Sequence, residues 1–274
     1  MKKLKMLSFM LIALLMASCS NEDEIVDAAK EVVGSYNGYS VAECKYFSNQ
    51  LATEQTVEVT YVSINKVSVG LNSDTWGTIS ITNANATSTD NGVVLSGTGV
   101  TKMSMGNSEA KEYTCELSGT IVNGIAELEF SCPQVMGGLK ISFHQGEIPA
   151  TIIVPGSYTG YTKADCTYFQ NMYADKQIIK LEASENGTYK ASYTSDTWGE
   201  FTIEDITVIA DGDNFTLNGN GVTKMGMGDN INEYACSFSG TIDVKKESPT
   251  FTFNVPAVMG GLTIVFNIGE MPQE

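Results

Sequence analysis

The chain is an internal duplication. The pentapeptide SDTWG occurs at 73–77 and again at 195–199, and these copies contain both tryptophans. Three more motifs recur at nearly the same spacing: GVTKM at 99–103 and 221–225, SGTI at 118–121 and 239–242, and VMGGL at 135–139 and 258–262. The spacing is 122 residues for the first two motifs, 121 for the third and 123 for the fourth. A period this long exceeds a solenoid unit, so we expect two domains of about 115 to 120 residues, each with its own core.

Apolar and polar residues alternate along each repeat. A clear example is the run 113–121, in which one face carries Tyr113, Cys115, Leu117, Gly119 and Ile121. A period of two is typical of strands with one buried face. The first repeat contains such runs at 34–46, 55–64, 66–71, 76–83, 93–103, 112–122, 125–132 and 138–145. Beyond the amino terminus, we find no helical periodicity of useful length.

Sequential antiparallel strands with one apolar face close most simply into an up-and-down barrel. Closure leaves no strand edge exposed. Gly97 and Gly99 fall on the predicted inner face, where a glycine fits a bend or the close approach of a neighbour. The sequence therefore predicts an all-β chain with two tandem eight-stranded barrels, and a two-sheet sandwich is the alternative.

The amino terminus has the features of a secretion signal. Lys2, Lys3 and Lys5 precede a mostly apolar stretch from Leu7 to Met16, which is too short to span a bilayer as a helix. The following MASC resembles the bacterial lipobox, which implies a signal peptide at 1–18 and lipid attachment to Cys19.

The segment after Cys19 is acidic. The sequence SNEDE resembles the surface-export signal of Bacteroidota lipoproteins, and a solvated linker is the alternative interpretation. We expect residues 19–31 to form a tether, with barrels at 32–150 and 151–274. The junction IPATIIVPGSY is short and apolar, so the two barrels should pack together.

The charge excludes several classes of partner. The chain has 16 basic residues, all of them lysine, against 32 acidic residues, and its formal net charge is −16. Without arginine and with this excess of acids, nucleic acid binding is disfavoured. Attraction to an anionic membrane surface is disfavoured as well, so contact with a membrane would depend on the lipid.

Catalytic patterns are missing from the sequence. His144 is the single histidine, lies on the polar face and has Asn267 as its counterpart in the second repeat. One imidazole supplies neither a His-rich metal site nor a matched pair of catalytic triads. Asp74 and Asp196 recur, but neither has a matched acid nearby that would suggest a glycosidase pair. We therefore expect no enzyme activity, no metal and no cofactor.

Several short segments carry a family resemblance. They are GSYNGY and GSYTGY at the start of each repeat, LSGTG and LNGNG in the middle, then SGTI, and finally MGGLKISF and MGGLTIVF. Together they resemble the calycin-like domain of Bacteroidota lipoproteins, which implies a lipocalin-like eight-stranded barrel in each repeat. Tyr36 and Tyr158 stand where true lipocalins have the tryptophan of a Gly-x-Trp motif.

Four cysteines match between the repeats, and parity places all four on the inner face. Because an exported chain enters an environment in which disulfides persist, we predict the bonds Cys44–Cys115 and Cys166–Cys236. Two pairs of buried thiols are the alternative. The remaining cysteine, Cys132, has Val255 as its counterpart, which favours simple core packing.

Methionines and tryptophans supply the candidate ligand contacts. Flexible thioethers can line a cavity for an apolar ligand or fill a small barrel. The tryptophans can cover one end of a barrel, anchor the preceding turn through Asp74, or stack on a sugar or a protein. With the two tyrosines of the first strands, the candidates are Tyr36, Trp76, Met103, Met105, Met136, Tyr158, Trp198, Met225, Met227 and Met259.

Three functions are compatible with these features. The first is a non-enzymatic outer-membrane lipoprotein that recognises a protein or a glycan through the barrel exterior or loops. The second is a lipocalin-like carrier of a small hydrophobic ligand inside the barrel. The third is an inhibitor or immunity-type protein whose loops block an enzyme.

Overall fold

The protein forms two closed barrels, each with eight antiparallel strands. The structure is a computed structural model that describes residues 26–104, 109–227 and 230–273. The predicted signal peptide and Cys19 lie outside these residues. Every strand pairs with its neighbours in sequence, and the last strand of each barrel closes on the first. The predicted tandem barrel fold is confirmed, and the sandwich alternative is wrong.

The first barrel begins with a single helical turn. Its elements are α1 (Ala28–Glu31), β1 (Gly34–Cys44), β2 (Phe47–Ser63), β3 (Lys66–Ser73), β4 (Gly77–Thr89), β5 (Gly92–Met103), β6 (Lys111–Val122), β7 (Ile125–Cys132) and β8 (Leu139–Gln145). Pairing of β1 with β8, from Gly38 opposite Gln145 to Glu43 opposite Lys140, closes the barrel.

The second barrel has the same order. Its elements are α2 (Ala150–Ile153), β9 (Gly156–Asp165), β10 (Met172–Ala183), β11 (Tyr189–Ser195), β12 (Gly199–Asp211), β13 (Asn214–Met227), β14 (Asn230–Asp243), β15 (Thr250–Val255) and β16 (Leu262–Ile268). Here β9 and β16 close the barrel. The two short helices were not predicted, because a single turn is too short to show a helical period.

Both barrels are filled by their own side chains. Fully buried residues of the first include Ile79, Ile81, Leu95, Phe130 and Ile141. In the second, the corresponding space holds stacked and tilted aromatic rings, among them Tyr193, Phe201 and Phe253. A water-sized void beside these side chains would give them accessible surface, and they have almost none. The interior of each barrel is therefore a packed core.

Glycines let β4 and β5 approach each other closely. A Cβ on Gly97 would lie 2.9 Å from the Cα of Ala84, and a Cβ on Gly99 would overlap the carbonyl oxygen of Ser80. Gly219 and Gly221 meet the same restriction against β12. The sequence prediction of a close neighbour at Gly97 and Gly99 is confirmed.

One end of each barrel, which we call the closed end, is covered by the short helix. Ala28 and Ala29 of α1 and Ile153 of α2 are buried. The hydroxyl of Tyr36 donates to the carbonyl oxygen of Val32 at 2.7 Å, and that of Tyr158 donates to the carbonyl oxygen of Val154 at 2.9 Å.

The role expected of Tyr36 and Tyr158 needs correction. Both side chains are buried, and burial raises the pKa of each phenol. Because each hydroxyl is used to hold the chain that enters the barrel, neither tyrosine is placed to contact a ligand from outside. Ala28 and Ala29, which the sequence assigned to the tether, belong to the first core.

Strands β2 and β4 of the first barrel are longer than predicted, because β-bulges interrupt the alternation of apolar and polar residues along them. Glu54 has a positive φ of 53°, and the register between β1 and β2 shifts beside it. The register of β4 shifts against β5 between Ser80 and Asn85. A bulge breaks the period of two and hides the continuing strand from a sequence pattern.

The junction between the barrels contributes to the second core. Ile148, Ala150 and Ile152 pack against that core, and so does Leu51 from β2 of the first barrel. This contact is consistent with the expected packing of the two barrels. Among the residues that the structure describes, no helix has the length and hydrophobicity needed to span a bilayer.

The close approach of β4 and β5 gives a stability prediction. We expect Gly99→Ala to lower the free energy of unfolding by about 1–3 kcal/mol, because the added methyl group overpacks the inner wall. Gly70→Ala in β3 is the control, since its Cβ would have no neighbour nearer than 3.9 Å. Urea denaturation followed by circular dichroism measures both changes. Equal stability of the two variants would contradict a close contact at Gly99.

Candidate functional site

The duplicated motifs meet at the end of each barrel opposite the short helix, which we call the open end. In the first barrel this end carries the β3–β4 turn at 74–76 and the β7–β8 loop at 133–138. The first holds most of SDTWG and the second most of VMGGL. The β5–β6 connection, which follows GVTKM, lies at the same end. Motifs far apart in sequence therefore come together because alternate loops of an up-and-down barrel share one end.

Trp76 covers the open end of the first barrel from within. Its side chain is only 7% exposed, and its Nε1 donates to the hydroxyl of Ser40 at 2.8 Å. Its ring stacks on Phe47 with centroids 6.2 Å apart. The hydroxyl of Ser73, and not Asp74 as the sequence suggested, anchors the turn by accepting the backbone N–H of Trp76 at 3.1 Å.

Trp198 makes the same contacts in the second barrel. It is 5% exposed, its Nε1 donates to the hydroxyl of Thr162 at 2.9 Å, and its ring lies 6.1 Å from that of Phe169. Gly199 follows it with a φ of 87°, where a Cβ would overlap the carbonyl oxygen of Lys224. Each tryptophan therefore covers the open end of its barrel, which is one of the roles considered from the sequence, and the glycine after it occupies a position without room for a Cβ.

A pocket of about 500 Å³ lies outside Trp76. It brings together Trp76, Met103 and Met136 from the predicted candidates and adds Tyr113, Val135 and Leu139. Lys102 lies at its edge, paired with Glu112 at 3.2 Å.

The second barrel has a matching pocket of about 560 Å³. Its lining residues include Phe169, Met172, Trp198, Met225, Tyr234, Val258, Met259 and Leu262. This pocket is more apolar than the first because Ala257 replaces Gln134 and Met172 is added. Met105 and the side chain of Met227 lie outside the described part of the chain.

Two methionines at this end have an unusual backbone. Met136 and Met259 occupy the same place in the two β7–β8-type loops, with φ values of 47° and 51°. Residues other than glycine rarely adopt a positive φ, and such strain concentrates at functional sites. The loop presents Met259 to solvent with half of its surface exposed.

Exposed tyrosines at the open end were missed by the sequence interpretation. Tyr46 is 73% exposed and Tyr168 is 79% exposed, and each precedes the phenylalanine that contacts the tryptophan. The repeated segments CKYF and CTYF carried this signal at the usual spacing of 122 residues. They were missed because no apolar alternation distinguishes a loop residue.

The same segments explain why two of the cysteines recur. The Sγ of Cys44 accepts the backbone N–H of Tyr46 at 3.3 Å, and the Sγ of Cys166 accepts that of Tyr168 at 3.3 Å. Cys115 and Cys236 are instead buried in the cores. The duplicated cysteines thus have two separate roles.

The predicted disulfides are not formed in the structure, in which all four thiols are free. Strands β7 and β8 lie between Cys44 on β1 and Cys115 on β6, and β15 and β16 separate Cys166 from Cys236. A disulfide requires Cα atoms within about 7 Å, which three strand spacings of about 4.8 Å exceed. Parity placed these residues on one face, but it did not account for the strands between them.

The remaining polar groups form no catalytic arrangement among the described residues. His144 lies on the outer surface, where its Nδ1 is 2.5 Å from Oε2 of Glu127 and its ring stacks on Tyr39. Within the described ranges, no group of three histidine, cysteine, aspartate or glutamate side chains is placed to hold a metal ion. The open-end pockets are suited to apolar and aromatic contacts.

Comparison with known families agrees with this architecture. The model of the calycin-like β-barrel domain matches the chain twice, at 32–146 and 154–268. The chain belongs to this family. No protein of curated function matches it in sequence.

Comparison with solved structures found similar chains. A proposed outer membrane protein from Bacteroides fragilis matches with a TM-score of 0.61 and 22% identity, covering 89% of this chain and 99% of its own. Transferrin binding protein B from Neisseria meningitidis matches with a TM-score of 0.30 and 10% identity over 85% of this chain and 56% of its own. The corresponding protein of Haemophilus parasuis gives 0.28 and 11% over 86% and 59%. At scores of 0.30 and 0.28, the two transferrin binding proteins carry no conclusion about this chain.

The tryptophan hydrogen bond gives a second prediction. We expect Ser40→Ala to destabilise the first barrel by about 1–3 kcal/mol, because the buried indole N–H of Trp76 loses its acceptor. Ser40→Thr should retain most of the stability, since Thr162 performs this role in the second barrel. Chemical denaturation followed by tryptophan fluorescence compares the two. If alanine and threonine had the same effect, the hydrogen bond would not be the cause.

Proposed function

We propose that the chain is a non-enzymatic outer-membrane lipoprotein, attached through Cys19, whose second barrel binds a partner protein at its open end. The observation that supports this most directly is the exposed apolar surface around the second pocket. Tyr168 is 79% exposed, Met172 43% and Met259 50%. These three residues, with Trp198 beneath them, form what we call the aromatic-methionine rim.

The composition of the rim favours a protein over a glycan. Aromatic residues and methionine are enriched in protein interfaces, whose centres are poor in charge. Among the described residues that line the second pocket, Asp196 is the one ionisable carboxylate. Trp198, which the sequence offered for stacking on a sugar, is covered and only 5% exposed.

The packed interior also bears on the carrier hypothesis. A lipocalin-like carrier needs an internal cavity, and the described interior positions are occupied by buried side chains. The open-end pocket of about 560 Å³ is nevertheless within the range of small-molecule sites, which are about 300–1,000 Å³. A small apolar ligand held at the mouth is therefore the second candidate function.

A crosslinking experiment tests the protein-binding proposal. A photo-reactive amino acid replaces Tyr168, and in a matched control it replaces the exposed Asp213 in the β12–β13 turn at the closed end. We expect irradiation of the host envelope to link one specific protein to position 168 and none to position 213. Equal crosslinking at both positions would contradict the proposal.

Affinity measurements then test the rim with the purified partner. Tyr168→Ala should weaken binding by about tenfold or more, as expected for an aromatic residue at the centre of an interface. Tyr46→Ala, at the matching place in the first barrel, is the control and should leave the affinity unchanged.

Other outcomes would favour the alternative functions. A partner enzyme that loses activity in the complex would indicate an inhibitor or immunity protein. A stoichiometric small molecule released by solvent from the purified chain, with no crosslinked protein, would indicate a carrier.

A further inference from the structure

Two buried thiols meet inside the first barrel. The Sγ atoms of Cys115 and Cys132 are 3.2 Å apart, and both residues are fully buried. Cys115 lies on β6 and Cys132 ends β7, one step beyond the paired residues Glu116 and Ser131. The two cysteines are therefore cross-strand neighbours on the inner face, where opposite Cβ atoms lie about 4.5–5.5 Å apart.

The second barrel shows that core packing alone does not require this pair. Its counterparts are Cys236 on β14 and Val255 at the end of β15, and both are buried. Valine fills the position of Cys132 in the same fold, so an apolar residue of similar size is sufficient there. The first barrel thus differs by a second thiol placed against the first.

We infer that Cys115 and Cys132 form a disulfide within the first barrel when the chain folds in the presence of a disulfide donor. The bond joins two adjacent strands and closes a loop between residues 17 positions apart. In the reaction, both thiols lose their protons and one S–S bond forms between them. The donor disulfide accepts the two electrons and two protons and leaves as two thiols.

The surroundings of the pair restrict when this reaction occurs. Hydrogen bonding to Cys132 and burial both raise the pKa of the Cys115 thiol. The same hydrogen bond lowers the pKa of Cys132. Because both thiols are fully buried, however, a disulfide donor cannot reach either one in the folded barrel. The exchange therefore takes place before β6 and β7 are enclosed.

Peptide mapping tests the bond directly. The mature chain is refolded from denaturant with oxidised and reduced glutathione, then denatured and alkylated without further reductant. Both cysteines lie in the lysine-bounded segment 112–140. We expect this peptide to be lighter by two hydrogen atoms and unalkylated, while Cys44, Cys166 and Cys236 are each alkylated.

Two variants control for the geometry. Cys132→Val copies the second barrel, and Cys115 should then be alkylated. Val255→Cys copies the first barrel, so we expect a new bond to Cys236. The oxidised wild-type chain should have a melting temperature several degrees above that of its reduced form, and this difference should disappear in Cys132→Val.

The outcomes that overturn the inference are equally specific. Segment 112–140 carrying two alkyl groups after refolding would show that the neighbouring thiols do not react. A linkage between Cys115 and Cys44 would show that the pairing predicted from the sequence is correct instead.

Discussion

The close approach of two strands in each barrel is the constraint on which the packed core depends. Where β4 crosses β5, and where β12 crosses β13, the strands are so close that a Cβ would collide with the opposite backbone at Gly99 and Gly221. Glycines and short side chains allow the strands of this wall to lie close together. An eight-stranded barrel has an interior just wide enough for a core of packed side chains. The described interior is filled by buried side chains, which supports the proposal that binding takes place at the loops.

The two barrels have the same strand order but different side chains in their cores. Tyr193 and Phe201 in the second barrel replace Leu71 and Ile79 of the first, while Ala191 replaces Val69. The larger aromatic rings are accompanied by a smaller neighbouring side chain. Protein cores tolerate such combined substitutions when the total side-chain volume is kept. In both barrels the indole N–H bonds to a hydroxyl 36 residues earlier, supplied by serine in one and threonine in the other. The covering tryptophan is thus maintained while the surface above it has diverged.

Alternation and duplication in the sequence were sufficient for the fold, because the inner face of a closed sheet repeats every second residue. Alternation and duplication were not sufficient to predict which residues of different strands are in contact. Cys44 and Cys115 share a face but are separated by two strands, whereas Cys132, interpreted as core packing, is the actual neighbour of Cys115. Loop residues such as Tyr168 were missed because no periodicity applies to them. Trp76, Met103 and Met136 come together because the turn, strand end and loop that carry them lie at the same end of an up-and-down barrel.

The path of the chain and the exposed side chains support the proposal that the second open end is the recognition surface. The chain enters the first barrel at its closed end through α1, so a lipid at Cys19, as we propose, would lie on that side. Leu51, near the open end of the first barrel, packs against the second core beside Ile152 of α2. The second barrel therefore contacts the first near the first open end. At the second open end Tyr168, Met172 and Met259 are exposed. An exposed apolar rim of this kind is a feature of interaction sites, which supports the proposal that a partner protein covers it.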